Sequence, residues 1–160
     1  MAIVLAILAF LLLLMVIGWR ARQNRQRDLT APKPRPADLG TVIGTFQGLY
    51  VATTAAGDQL DRIAVHGLGF RSRAVVIVAE PGVLIDLPGT EDTWIPAGDV
   101  RELRTATWTI DRVVESGGLE LLEWTLGDRT VDSYFRMEQP KAFQNAVAQL
   151  LATRTEREES

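Results

Sequence analysis

The chain of 160 residues carries 17 Lys and Arg against 20 Asp and Glu, a single His and no Cys, for a net charge of -3. The lack of Cys excludes disulfides and thiolate metal sites, and one His leaves little from which to build a histidine-based centre. The charge is also divided. Residues 20–36 hold six basic groups and one acid, +5, whereas residues 37–160 hold eleven basic and nineteen acidic groups, -8. A domain of that sign lacks the basic face that neutralises phosphates, so no nucleic acid is expected as a partner.

Residues 1–19 contain no charged or strongly polar side chain, and twelve of the first seventeen are Leu, Ile, Val or Phe. As a helix they would reach roughly 28 Å, close to the roughly 30 Å hydrocarbon core of a bilayer, which predicts a transmembrane helix. A cleavable signal peptide would carry basic residues ahead of the apolar run and a small-x-small site after it. Here nothing basic precedes Ala2, and Gly18, Trp19 and Arg20 make a poor cleavage site. The span is therefore expected to be retained. Arg20, Arg22, Arg25 and Arg27 follow it before any acid, with Trp19 at the interface. The positive-inside rule then places the N-terminus outside and the remaining chain in the cytoplasm, a single-pass arrangement in the cell membrane. The basic segment 20–27 either sets topology alone or also meets anionic headgroups.

Residues 28–37 contain Pro32, Pro34 and Pro36 in alternation, which predicts an extended, semi-rigid linker. From residue 38 to 154 there is room for one ordinary domain. Its short β-branched and aromatic runs, broken by Gly, Pro and Asp, predict strands near Thr45–Thr53, Asp61–His66, Arg73–Ala79, Val83–Leu87, Asp92–Ile95, Leu103–Val114, Leu119–Leu126 and Thr130–Met137. Glu80-Pro81-Gly82-Val83 predicts a type II turn, with Pro at the first corner and Gly supplying a positive φ. Leu122, Trp124 and Leu126 share one face of their strand, as do Val131, Ser133, Phe135 and Met137 of theirs. A helix begins at Pro140 and runs to about Arg154, with Phe143, Ala146, Val147, Leu150 and Leu151 on one stripe. Residues 155–160 form a charged tail.

Many short antiparallel strands followed by one amphipathic C-terminal helix resemble pleckstrin-homology (PH)-like domains. The resemblance implies an all-β dominated fold, a partly open antiparallel barrel of about seven strands capped by that helix, with Phe143 and Leu150 facing the barrel mouth. It is closer in Leu49-Tyr50-Val51-Ala52-Thr53-Thr54, in Leu60-Asp61-Arg62-Ile63-Ala64-Val65 with Gly67-Leu68 after it, in Thr105–Val114 and in Asp132-Ser133-Tyr134-Phe135-Arg136. With the N-terminal span, these look like small single-pass membrane proteins with a PH-like domain found in actinobacteria. That family is often labelled export- or transporter-like without a settled activity, and one span cannot by itself form a transport path.

Phosphoinositide-binding PH domains place several Lys and Arg on the first strands and their loop. Ala55-Ala56-Gly57-Asp58-Gln59 offers none, so phosphoinositide binding is not expected. Arg71 and Arg73 are the one compact basic pair in the domain. They suit either contact with an anion or the blunting of an exposed strand edge. His66 beside Gly67 reads as a turn residue, and Glu120 and Glu123 fall on opposite faces of a strand. With no nucleophile, base or metal constellation, no catalytic residue, cofactor or metal is expected. The expected role is non-enzymatic: a membrane-tethered module that scaffolds a membrane or cytoplasmic protein, by edge addition or beside the C-terminal helix. The alternative is a lipid- or small-ligand-binding accessory subunit of an envelope or transport system.

Overall fold

The computed structural model describes residues 2–26, 29–106 and 118–158. A first helix α1 (Ala2–Gln26) is followed by eight strands: β1 (Val42–Ala55), β2 (Asp58–Arg62), β3 (Ser72–Ala79), β4 (Gly82–Asp86), β5 (Thr93–Pro96), β6 (Val100–Ala106), β7 (Leu119–Leu126) and β8 (Arg129–Met137). The helix α2 (Pro140–Glu158) closes the order. From Val4 to Ile17 the large apolar side chains of α1 are 48–74% exposed. Among the described residues, no helix is long and apolar enough to cross a membrane. The span expected over residues 1–19 thus rests on the sequence. Arg20 is exposed, and the side chains of Trp19, Arg22, Arg25 and Arg27 lie outside the described residues.

All pairings are antiparallel, in the order β5-β4-β3-β1-β8-β7-β6, with β2 paired to β1 off that path. The short β2 hairpin brings the count to eight where about seven strands were expected. β1 pairs β3 from Val42 to Tyr50 and β8 from Gly48 to Ala55, with a bulge between Tyr50 and Ala52. One long strand bent at a bulge can therefore serve both halves of the sheet. Inward residues follow the period of two: Phe46 and Tyr50, then Ala74, Val76 and Val78, then Leu122, Trp124 and Leu126, then Val131 and Phe135. Phe143, Ala146, Val147 and Leu150 of α2 are buried on this core, and the Phe143 ring meets Phe46 edge-on at 5.5 Å.

Several expectations are corrected. The strand expected at Asp61–His66 lies at Asp58–Arg62, because the next residues fold inward as a plug, with Ile63 and Leu68 buried and His66 at φ 57°. The first turn is shifted by one residue. Ala79 pairs with Gly82, so Glu80 and Pro81 form the connection and Gly82 already belongs to β4. Its role is close approach, since a Cβ there would lie 2.2 Å from the Ile95 carbonyl oxygen. The sixth strand starts earlier, at Val100, while residues 107–114 lie outside the described residues. α2 continues to Glu158, into the stretch expected as tail.

The largest correction concerns the linker. Residues 29–35 form a strap laid on the domain. Leu29 is buried in the core, and its carbonyl lies 3.0 Å from His66 Nε2. Thr30 presses on Gly127, where a Cβ would come within 2.5 Å of its hydroxyl oxygen. Lys33 forms a β-bridge with Trp94 and an ion pair with Asp99 at 2.8 Å, and Arg35 pairs with Asp92 at 3.1 Å. Alternating prolines keep this chain extended, and an extended chain can lie along a sheet edge as well as span a gap.

Candidate functional site

The β1 register determines which residues meet on the outer face of the sheet. Leu49 faces Arg73 on β3 and Arg136 on β8, so the three stand in one row across adjacent strands. Two residues along, Gln47 faces Val75, and Val75 faces Asp86 on β4. The Glu138 amide donates to the Gln47 carbonyl at 3.0 Å, placing Glu138 beside that second row. These residues, with Ala74, Pro88 and Met137, line an open groove of about 610 Å³. Its floor is apolar at Leu49 and Val75, its cations stand on one row, and its acids flank the other.

With neighbouring strands about 4.8 Å apart, the Arg73 and Arg136 backbones are separated by about 10 Å across Leu49. Both side chains are exposed, and among the described residues neither makes a hydrogen bond or ion pair. Two guanidinium groups at that spacing can converge on one carboxylate or phosphate, or receive two acids of an extended segment. The expected pair is therefore regrouped. Arg73 joins the groove, while Arg71 lies in the segment before β3, beside exposed Phe70.

The outer edges of β5 and β6 are partly covered, whereas β2 is paired to β1 alone. The Lys33 bridge occupies β5, and at the start of β6 the Val100 carbonyl accepts from Arg154 Nη1 at 2.6 Å. Both β1 and β3 are interior strands with their backbones already paired, so a ligand in the groove is read by side chains. Among the described residues, no group of three His, Asp or Glu could hold a metal.

Two acids of the β7–β8 pair are buried outside the groove, on opposite faces of the sheet: Glu120 pairs with inward Phe135, and Asp132 pairs with Glu123 on the outer face. Asp132 has the Gly57 amide on Oδ2 at 3.3 Å and Arg104 3.8 Å from Oδ1. Glu120 accepts from Gln144 Nε2 at 3.0 Å on Oε1, while Oε2 has no partner. Burial raises its pKa above the ordinary carboxylate value, only partly offset by the Gln144 hydrogen bond. Each acid is thus tied to a neighbouring element through one oxygen, and Asp132 Oδ1, like Glu120 Oε2, makes no hydrogen bond among the described residues.

A family model described as Bacterial PH domain-like matches residues 29–151. The chain belongs to that family. The match starts at Leu29, so the strap lies inside the family's domain. The solved structure of Vav1 inhibited by an allosteric inhibitor is similar to this PH-like chain at a TM-score of 0.46 and 12% identity, over 86% of this chain and 34% of that one. This chain thus spans about a third of that protein's length. No curated protein matches.

Sequence reasoning missed Arg136, Asp86 and Glu138. Period-two alternation does place Arg136 opposite Phe135 and Met137, hence outward. Nothing local pairs it with Leu49.

Proposed function

We propose that this protein is a non-enzymatic, membrane-tethered PH-like module that holds a protein partner at the cytoplasmic face. The observation that carries the reading is the groove, where Arg73 and Arg136 flank Leu49 and, among the described residues, make no ion pairs of their own. An extended, partly apolar segment with an acid at the Arg73–Arg136 row fits it, provided that no second acid falls beside Asp86 and Glu138. The space inside the domain, where a lipid or small ligand would otherwise lodge, is filled by Tyr50, Trp124, Phe135 and Phe143. This favours a partner on the outer surface over an enclosed ligand. The tether is supported by the uncharged residues 1–19 and by Arg20, Arg22, Arg25 and Arg27 behind them.

A photo-crosslinking residue at Leu49 in the full-length protein, in its native membrane, tests this reading. Capture of a protein that disappears in the Arg73→Ala/Arg136→Ala variant is expected. Efficient labelling with no captured protein, or capture unaffected by the double variant, overturns it. Topology is tested separately by fusions after Ser160, where cytoplasmic fluorescence is expected and alkaline phosphatase activity would reverse the assignment.

A further inference from the structure

Outside α1, the described large apolar residues with high exposure are few: Leu60 at 87%, Phe70 at 67% and Val42 at 48%. Leu60 and Phe70 belong to one end of the domain. Leu60 sits on β2, whose Arg62 donates through Nη1 to the Gly69 carbonyl at 3.5 Å, next to Phe70. Arg62 and Arg71 are both exposed there. Asp58 is also at this end, but its Oδ1 accepts the Leu60 and Asp61 amides at 3.0 and 3.3 Å and so is turned into its own hairpin. Asp61 is half-buried on β2. The Leu60 and Phe70 side chains are thus left largely in water, each with an exposed arginine within two residues of it in sequence.

The strap limits how far the domain can stand from α1. The chain from α1 arrives at the β2–β3 plug, where the Leu29 carbonyl meets His66, and at the β7–β8 turn, where Thr30 meets Gly127. Only residues 27 and 28 separate the last residue of α1 from buried Leu29. Three Cα steps cover at most about 11 Å, and the helix from residue 19 to 26 rises about 10 Å. The headgroup layer itself extends roughly 5–7 Å beyond the hydrocarbon. A docked strap therefore turns a long spacer into a short leash and brings the Leu60–Phe70 end to the lipid.

Resting on the membrane tether proposed above, we infer that Leu60 and Phe70 insert into the headgroup boundary of the same bilayer that α1 enters. Arg62 and Arg71 then lie at the depth of the lipid phosphates. Aromatic and aliphatic side chains with flanking arginines are suited to that boundary, where the apolar side chains leave water and each arginine keeps its stem apolar and its head wet. The docking leaves the groove at Leu49 facing sideways, open to a partner. It requires no inositol phosphate recognition.

The chain has no Cys, so single cysteines report individual sites. We would label full-length Leu60→Cys, Phe70→Cys, Val42→Cys and Met15→Cys with an environment-sensitive fluorophore. Each would be reconstituted in phosphatidylcholine vesicles containing phosphatidylglycerol, with nitroxide lipids labelled either near the headgroup or deep in the acyl chain. The shallow quencher is expected to act on Leu60→Cys and Phe70→Cys several-fold more than on Val42→Cys, and the deep quencher on Met15→Cys. Quenching at residue 15 with none above the Val42 level at 60 and 70 overturns the docking and leaves the tether standing. Absence of quenching at residue 15 overturns the tether, and the inserted tips with it.

Discussion

Tyr50 Oη lies 2.7 Å from the carbonyl oxygen of Leu68 and donates to it, joining β1 to the plug in the β2–β3 connection. The bond ends a buried chain. Trp124 Nε1 can only donate and does so to Ser133 Oγ at 2.9 Å, while Ser133 and Thr53 hydroxyls lie 2.6 Å apart and Thr53 and Tyr50 hydroxyls 2.7 Å apart. Since a carbonyl only accepts and each hydroxyl has one proton, every proton points the same way, from Trp124 through Ser133, Thr53 and Tyr50 to Leu68. Burial raises the Tyr50 pKa far above its usual value, so the phenol keeps the proton it donates. Tyr50→Phe removes the last donor and leaves the Thr53 hydroxyl without its acceptor. A loss of about 1–3 kcal/mol is expected in denaturant unfolding. The Leu68 amide, bonded to the Val65 carbonyl, should exchange faster in the same variant.

Leu29 tests whether the strap is part of the domain. Leu29→Ala removes a side chain that is only 5% exposed and should cost about 2–5 kcal/mol. A free linker would show no change. The denaturation midpoint reads the difference, and loss of amide protection around Trp94 would show the strap lifting.

Gly82 is required for space. A Cβ at this position meets the Ile95 carbonyl at 2.2 Å and the Trp94 ring at 2.8 Å. Gly82→Ala should destabilise by about 1–3 kcal/mol through forced backbone movement. Gly98→Ala, where a Cβ meets nothing within 4 Å, serves as the control and should leave the midpoint nearly unchanged.

Glu120 gives a pH dependence of defined sign. Its carboxyl pKa is higher folded than unfolded, first through burial, so the native state holds the proton more tightly. Stability contributed by this group is present at low pH and is lost as pH rises from the ordinary value of 4.5 through the folded pKa. Glu120→Gln keeps an acceptor for Gln144 and removes the charge. The variant should unfold at a higher denaturant concentration than the parent at pH 7, and the difference should vanish below the ordinary carboxylate pKa. Parallel unfolding curves at both pH values would refute the assignment.

Legibility in the sequence followed the range of the interaction. The stripe Phe143, Ala146, Val147 and Leu150 was readable because a helix repeats within a few residues, and the inward Leu122, Trp124 and Leu126 because a strand repeats every two. The strap is not legible because Pro32, Pro34 and Pro36 specify an extended backbone without saying what lies beside it. Gly82 reads as a turn residue in sequence because its crowding comes from Ile95 on another strand.

The sequence by itself determined an uncharged start with an arginine-rich flank, an acidic β-rich domain and an amphipathic last helix. Each of these depends on residues close together in the chain. Only the tertiary structure decided that Arg73 and Arg136 would stand on either side of Leu49, and that Leu29 would be buried beside His66. Those neighbours are set by antiparallel register between strands distant in sequence, and a one-residue slip in that register would have turned Leu49 inward and Tyr50 out.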